Sequence, residues 1–287
     1  MPAKKGNTIK ASSPIGIFDS GIGGLTVANA IIKLLPKEDL IYFGDTAHLP
    51  YGEKSPDAIK YYSIRIARFL MQRNCKMIVI ACNTASALAY EVVKEFVGGT
   101  AHVVNVIDPV VEEVVKTSPL AHLQRKGEST TRKIGVIGTK ATIKSDIYAK
   151  KINSLHKKAE VVSVATPLLA SMIEEGYFNN KISRTIIHSY LSKSKLKKID
   201  SLILACTHYP LIKPEIEEVY KNRVEIIDSA GVVGKHVKNI LVKKNLLANH
   251  KSPHHHFFIS DYTKSFEKSA KYFFKNKIKL EEANIWK

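Results

Sequence analysis

The chain has 287 residues, 45% apolar and 24% charged, enough for one large or two small globular domains with a buried core. No run of 18 apolar residues occurs, which excludes a membrane-spanning helix, and the basic opening MPAKKGNTIKASSP lacks the apolar stretch of a signal peptide and reads as a leader outside the fold. The formal charge of +18, from 44 Lys and Arg against 26 Asp and Glu, suits an anionic partner or a small anionic substrate; the lysines are spread along the chain without a nucleic-acid fold motif, so nucleic acid is not the expected partner.

Ile15 to Phe18 reads as a short buried strand that ends in Asp19-Ser20-Gly21-Ile22-Gly23-Gly24, with helical periodicity from Leu25 to Leu35. A glycine turn there lets the backbone approach a ligand and aims helix amides at an anion, but its spacing is not a dinucleotide fingerprint. Asp19 and Ser20 are therefore helix caps or site residues. Leu40 to Phe43 is a second strand, followed by the polar loop Gly44-Asp45-Thr46-Ala47-His48-Leu49-Pro50-Tyr51-Gly52, and Pro56 opens a helix. The run IVIACNTASA begins as a buried strand at Ile78 and stops at Cys82, Asn83 and Thr84, with a helix from about Ser86. Val103 to Ile107 is the next strand, and Ser118 to Arg132 is a polar surface linker.

The βα pattern then restarts at Lys133 to Gly138, where GVIGTKAT has the wrong spacing for a phosphate loop and Thr139 reads as a helix cap. Glu160 to Val164 is a strand. The short helix after it carries Glu174 and Glu175, which from the residues alone are two exposed acids or include one that faces a cleft. Leu202 to Ala205 leads into Cys206-Thr207-His208-Tyr209-Pro210, a near-copy of the setting of Cys82. Val224 to Ile227 is another strand, the triplet His254 to His256 reads as a loop rather than a metal site, and a basic tail follows Phe274. Repeated βα units imply a doubly wound parallel architecture. In such sheets ligands sit at the carboxyl ends of strands, where both Ala-Cys pairs fall.

Two thiols in matching settings narrow the chemistry. Cys75, Cys82 and Cys206 form an odd set without framework spacing, which predicts a reduced, cytoplasmic protein. Metal binding lacks ligands, disulfide chemistry expects a close CxxC pair, and a single nucleophile leaves the second thiol unexplained. Acid/base work on opposite faces of one carbon uses both. A thiol near its ordinary pKa of about 8.5 becomes an adequate base once positive or hydrogen-bonding neighbours lower it. Asn83, Thr84 and Thr207 are uncharged donors suited to an α-carboxylate, and Asp19 and His208 are placed to serve the two cysteines.

At these residues the sequence resembles the cofactor-independent aspartate/glutamate racemase superfamily, and within it the glutamate racemases. The matching segments are IFDSGIGGLTV, YFGDTAHLPYG, ACNTASA, IGVIGTKAT, TPLLASMIEEG, ACTHYPL and IIDSA, between Pro14 and Phe274. The resemblance implies two catalytic thiols, Cys82 acting on D-glutamate and Cys206 on L-glutamate, with Asp19 paired to the first and His208 to the second. It implies supporting acids at Asp45 and Glu174, substrate contacts at Ser20, Asn83, Thr84 and Thr207, and a side-chain carboxylate site formed by Pro50, Tyr51 and Gly52. No cofactor and no metal are implied, and the D-glutamate goes to peptidoglycan. The implied fold is α/β, with two pseudo-symmetric lobes that each hold a mostly parallel sheet flanked by helices and an active site in the cleft between them. The first lobe is expected at 14–106 plus 211–274, the second at 107–210, with basic flexible or peripheral ends at 1–13 and 275–287. A homodimer is left open. Activation by a peptidoglycan precursor and gyrase binding, known among relatives, do not follow from these motifs. The competing readings are a single-thiol hydrolase or amidase using Cys82, and a non-catalytic protein acting through its basic surface.

Overall fold

The structure is a computed structural model that describes residues 9–116, 132–274 and 278–287. It contains two parallel sheets. The larger runs in the order β10-β9-β2-β1-β3-β4 and the smaller in the order β6-β5-β7-β8, and every pairing is parallel. The larger sheet is built from β1 (Ile15–Asp19), β2 (Leu40–Gly44), β3 (Met77–Ile80), β4 (His102–Asn105), β9 (His255–Ile259) and β10 (Leu280–Glu282). The smaller uses β5 (Lys133–Gly138), β6 (Glu160–Ala165), β7 (Ser201–Ala205) and β8 (Glu225–Asp228).

The strands read as continuous apolar runs because both faces are covered. Side chains alternate across β1 and β3. Ile15, Ile17, Met77 and Val79 join the core shared with α1 (Leu25–Leu34) and α10 (Ser229–Lys243). Phe18, Ile78 and Ile80 point the other way, onto α2 (Pro56–Gln72) and α3 (Asn83–Val97). Helix α2 starts where its sequence dictates, with Ser55 accepting from the Ala58 amide at 3.3 Å and Pro56 in the first turn. Helix α3 stops at Gly98, which adopts the left-handed conformation.

Strand order decides where a ligand can sit. In the larger sheet the chain places β2 on one side of β1 and β3 on the other; in the smaller it places β6 on one side of β5 and β7 on the other. The helices after these strands diverge at those points and open a crevice at the carboxyl ends. Asp19 and the residues after Ile80 lie at the first crevice, Thr139 and the residues after Ala205 at the second.

Three expectations change. The strand expected at Val224 to Ile227 falls within the first lobe's expected returning segment, 211–274, but β8 hydrogen-bonds to β7 of the smaller sheet. The chain re-enters the larger sheet only with β9, after α10. The histidine triplet is not a loop: β9 begins at His255, and His256 Nδ1 lies 3.1 Å from Glu281. Within the basic tail, 280–282 form an edge strand on β9, and Trp286 packs edge-on to His48 and Tyr62. An open sheet edge captures this segment by backbone pairing, and Ile278 and Leu280 pack against the core. The polar linker, apart from buried Arg132, and the leader up to residue 8 lie outside the described residues. No helix among the described residues is long and apolar enough to cross a membrane.

Candidate active site

The first-lobe half of the site is built on the ends of β1 and β3. Asp19 is fully buried, and its Oδ2 accepts from the amides of Gly24 at 3.0 Å and Gly21 at 3.2 Å. The glycine turn therefore spends its amides on a side chain of its own strand, not on an outside anion. Its glycines serve close packing instead: a Cβ at Gly23 would lie 2.5 Å from His208 Cε1 and 2.6 Å from Thr207 Oγ1. Burial lifts the Asp19 carboxyl above its usual value, with Glu174 adding to the rise, while His208 and the two amides pull the other way.

Cys82 caps α3, its Sγ accepting from the Ala85 amide at 3.5 Å and lying 3.6 Å from Ser20 Oγ. The helix starts at Asn83, three residues earlier than the periodicity predicts, because the thiol itself serves as the cap. At this thiol the hydrogen-bonding neighbours are outweighed. Burial, then the charge of Asp19, push it up to about 12 against the opposing pull of Ala85 and Ser20. Cys82 rests as a proton-bearing thiol.

The second-lobe half is a relay. Cys206 Sγ lies 3.5 Å from His208 Nδ1, and His208 Nε2 lies 2.7 Å from Glu174 Oε1. Burial alone would lower the imidazole, but the Glu174 carboxylate and the Cys206 sulfur hold it well above its ordinary value. Glu174 thus faces the cleft from the end of α7 (Pro167–Glu174), while Glu175 is exposed. Thr207 leans back across the cleft, its Oγ1 donating to Asp19 Oδ1 at 3.4 Å. From the first lobe, Thr26 donates to the Thr207 carbonyl at 3.1 Å.

One cavity is shared by both halves. Ser20, Pro50, Tyr51, Gly52, Cys82, Asn83 and Thr84 line it from the first lobe, and Thr139, Glu174, Cys206, Thr207 and His208 from the second. It is narrow, about 30 Å³, room for one or two waters. Asp45, expected as a supporting acid, does not itself line the cavity but stands behind Tyr51, which does. Its buried carboxylate is taken up behind the site, accepting from Tyr51 at 2.7 Å and Ser260 at 2.8 Å and lying 3.0 Å from His48 Nδ1. The loop after β2 turns back onto the end of β9, which only the sheet order could reveal.

Sequence reasoning missed two sets of residues. Thr139 caps α5 (Lys140–Lys144) as predicted, but it also forms a hydroxyl triangle with Thr84 and Thr142, at 2.9, 3.0 and 2.9 Å. Tyr148, on α6 (Ile147–Leu155), reaches from the second lobe to donate to Asn83 Oδ1 at 2.7 Å. Both contacts cross between lobes. The TKAT motif hinted at the first; nothing local announced the second.

Two parallel-sheet lobes that meet over one cavity, each bringing a strand-end thiol to it, define a two-lobed α/β fold with paired cleft cysteines. Residues 15–236 match the Asp/Glu/Hydantoin racemase family model, and the chain belongs to that family. It is 44% identical over 248 residues to the glutamate racemase of Geobacter metallireducens, covering 86% of this chain and 87% of that one. It is 39% identical over 276 residues to that of Chlorobaculum tepidum, covering 95% of each. The solved glutamate racemase of Francisella tularensis, crystallised in complex with D-glutamate, superposes with a TM-score of 0.87 at 36% identity, over 96% of this chain and 99% of that one.

Proposed function

We infer that the protein is an amino-acid racemase that interconverts L- and D-glutamate by moving a proton at the α carbon between two cysteines, with no cofactor in the scheme. The observation that carries this reading is that Cys82 and Cys206, from different lobes, line one cavity with separate proton-handling partners. Relatives at 39 to 44% identity over most of the chain are glutamate racemases, which names the substrate.

In the L-to-D direction, the Cys206 sulfur takes the α proton, and the C–H electron pair remains on the carbon. His208, protonated and hydrogen-bonded to Glu174, faces that sulfur with the positive charge a thiolate base needs. Cys82 begins as a neutral thiol and delivers its proton to the opposite face of the carbon. The D-to-L direction reverses the roles, and there Asp19, raised by burial and coupled to Cys82, is the group that accepts the thiol proton. Asn83, Thr84, Thr207 and Ser20 hold the ammonium and α-carboxylate, assisted by the positive end of α3. The Pro50-Tyr51-Gly52 backbone receives the side-chain carboxylate. Closure of the narrow cavity excludes water from the carbanion. The reading places the reaction in the cytoplasm, where thiols stay reduced, and directs its D-glutamate to peptidoglycan.

Circular dichroism of purified protein with L-glutamate and, separately, D-glutamate tests this without added pyridoxal phosphate or metal. Racemisation from both sides, with solvent deuterium entering the α position, is the expected result. Cys82→Ala and Cys206→Ala should each abolish it. Full activity in either variant would refute the two-thiol scheme, and release of ammonia without racemisation would turn the reading toward a hydrolase.

A further inference from the structure

Asn83 is buried, and the two ends of its amide are in different situations. Its Oδ1 accepts from the Tyr148 hydroxyl at 2.7 Å, across the boundary between lobes. Its Nδ2 is buried without a hydrogen-bond partner. Leaving a buried amide donor unpaired is unfavourable, and a ligand that supplies an acceptor removes that cost. Asn83 lines the cleft cavity directly beside Cys82.

We propose that Tyr148 is a positioning residue: by donating to Oδ1 it fixes the orientation of the Asn83 amide and reserves Nδ2 as a donor for the substrate's α-carboxylate. This rests on the glutamate racemase reading above. Tyr148 is only 3% exposed, and burial pushes its hydroxyl above the ordinary phenol value, with the charge of Cys206 adding to the rise. The hydroxyl therefore keeps its proton and has one to give. The carbonyl end of the amide is the end that can take it. Asp146, whose backbone is left-handed at φ 56°, forms the sharp entry to α6, two residues before Tyr148. Because α6 belongs to the second lobe and Asn83 to the first, the donor is held in register only while the lobes are together. Substrate binding and lobe closure thus share one hydrogen bond.

Steady-state kinetics in both directions provides the test, with wild type, Tyr148→Phe, Asn83→Ala, the double variant and Asn83→Asp. Tyr148→Phe keeps the ring packing and should raise KM about tenfold for both enantiomers while kcat stays within about threefold, the pattern of lost binding common to ground and transition states. In the Asn83→Ala background the same change should alter KM less than about twofold, because the group it positions is gone. Asn83→Asp keeps the acceptor for Tyr148 but turns an oxygen toward the carboxylate, and should bind glutamate worse than Asn83→Ala. An unchanged KM in Tyr148→Phe, an additive effect in the double variant, or binding by Asn83→Asp as good as by Asn83→Ala overturns the role. Racemisation by wild type alongside any of these overturns the Tyr148 role alone; a wild type inert toward both enantiomers overturns the function and this role with it.

Discussion

The two cysteines share a strand-end setting yet differ in what surrounds them. Cys82 is buried against a carboxylate and keeps its proton, its sulfur held by a hydroxyl and a helix amide. Cys206 faces an imidazole braced by Glu174. In the proposed scheme one kind of side chain serves both faces of the carbon because a carboxylate stands beside one sulfur and an imidazolium beside the other. Glu174→Gln removes the partner that raises His208. The His208 pKa should then fall, and the alkaline limb of the pH profile for L-glutamate should move to lower pH, measured as kcat/KM from about pH 6 to 10. The sign for stability follows from the same shift. Because the folded imidazole is raised, the contribution of the pair is fully present below the unfolded histidine value of about 6.5 and is lost as pH rises through the folded value. The difference in thermal midpoint between wild type and Glu174→Gln should therefore be largest in mild acid and shrink on the alkaline side; a constant difference would argue that the pair is not ionised as described.

Among the elements, the glycine turn after β1 and the loop after β2 are tight against the other lobe. Gly23 leaves no room for a side chain beside His208 and Thr207, and a Cβ at Gly52 would lie 2.7 Å from Thr139 Cβ. Gly23→Ala should displace the His208 ring from Cys206 and from Glu174. Activity should drop by at least about a hundredfold, in line with small misplacements of a proton-transfer group, while far-ultraviolet circular dichroism stays native. Near-normal activity in that variant would mean the lobes adjust without cost and that the register of His208 is loosely held. The threonine triangle of Thr84, Thr139 and Thr142 belongs to the same seam. It closes a polar junction in which each hydroxyl can both donate and accept, so no buried group there goes unpaired.

For the molecule as a whole, the far end of the larger sheet is fastened by a buried ion pair. Lys76 Nζ lies 2.5 Å from Glu38 Oε2 and also donates to the carbonyls of Ala11 and Leu246. The Ala248 amide donates to Glu38 Oε1 at 2.7 Å. Both side chains are almost fully buried, at 0% and 3% exposure. The cluster joins the entry segment, the start of β3 and the connection from α10 to β9, and so holds together the two stretches of chain that share the first lobe. Lys76→Met strands the Glu38 carboxylate and should cost about 3–5 kcal/mol in urea denaturation, whereas adding Glu38→Gln should recover part of it. Equal stability of the single and double variants would show that the charge on Glu38 is not the source of the loss.

The parallel α/β class is legible in the amino acids, because period-free apolar runs ending in polar turns are what doubly covered strands require, and the matching settings at their strand ends mark Cys82 and Cys206. Asp19, His208 and Asn83 are marked too, by their place next to those thiols. What the sequence left open was decided by tertiary contact. Strand pairing moved β8 into the smaller sheet and drew the tail in as an edge strand, since backbone hydrogen bonding leaves little trace in side-chain pattern. How Asp45 stands to the site is decided by packing: Tyr51, which lines the cavity, and Ser260, 215 positions away, take up its carboxylate behind the cleft. The proton on Cys82 was fixed by burial, a property of the whole fold, and the link from Tyr148 to Asn83 exists only because two lobes that are separate in sequence close over one cavity.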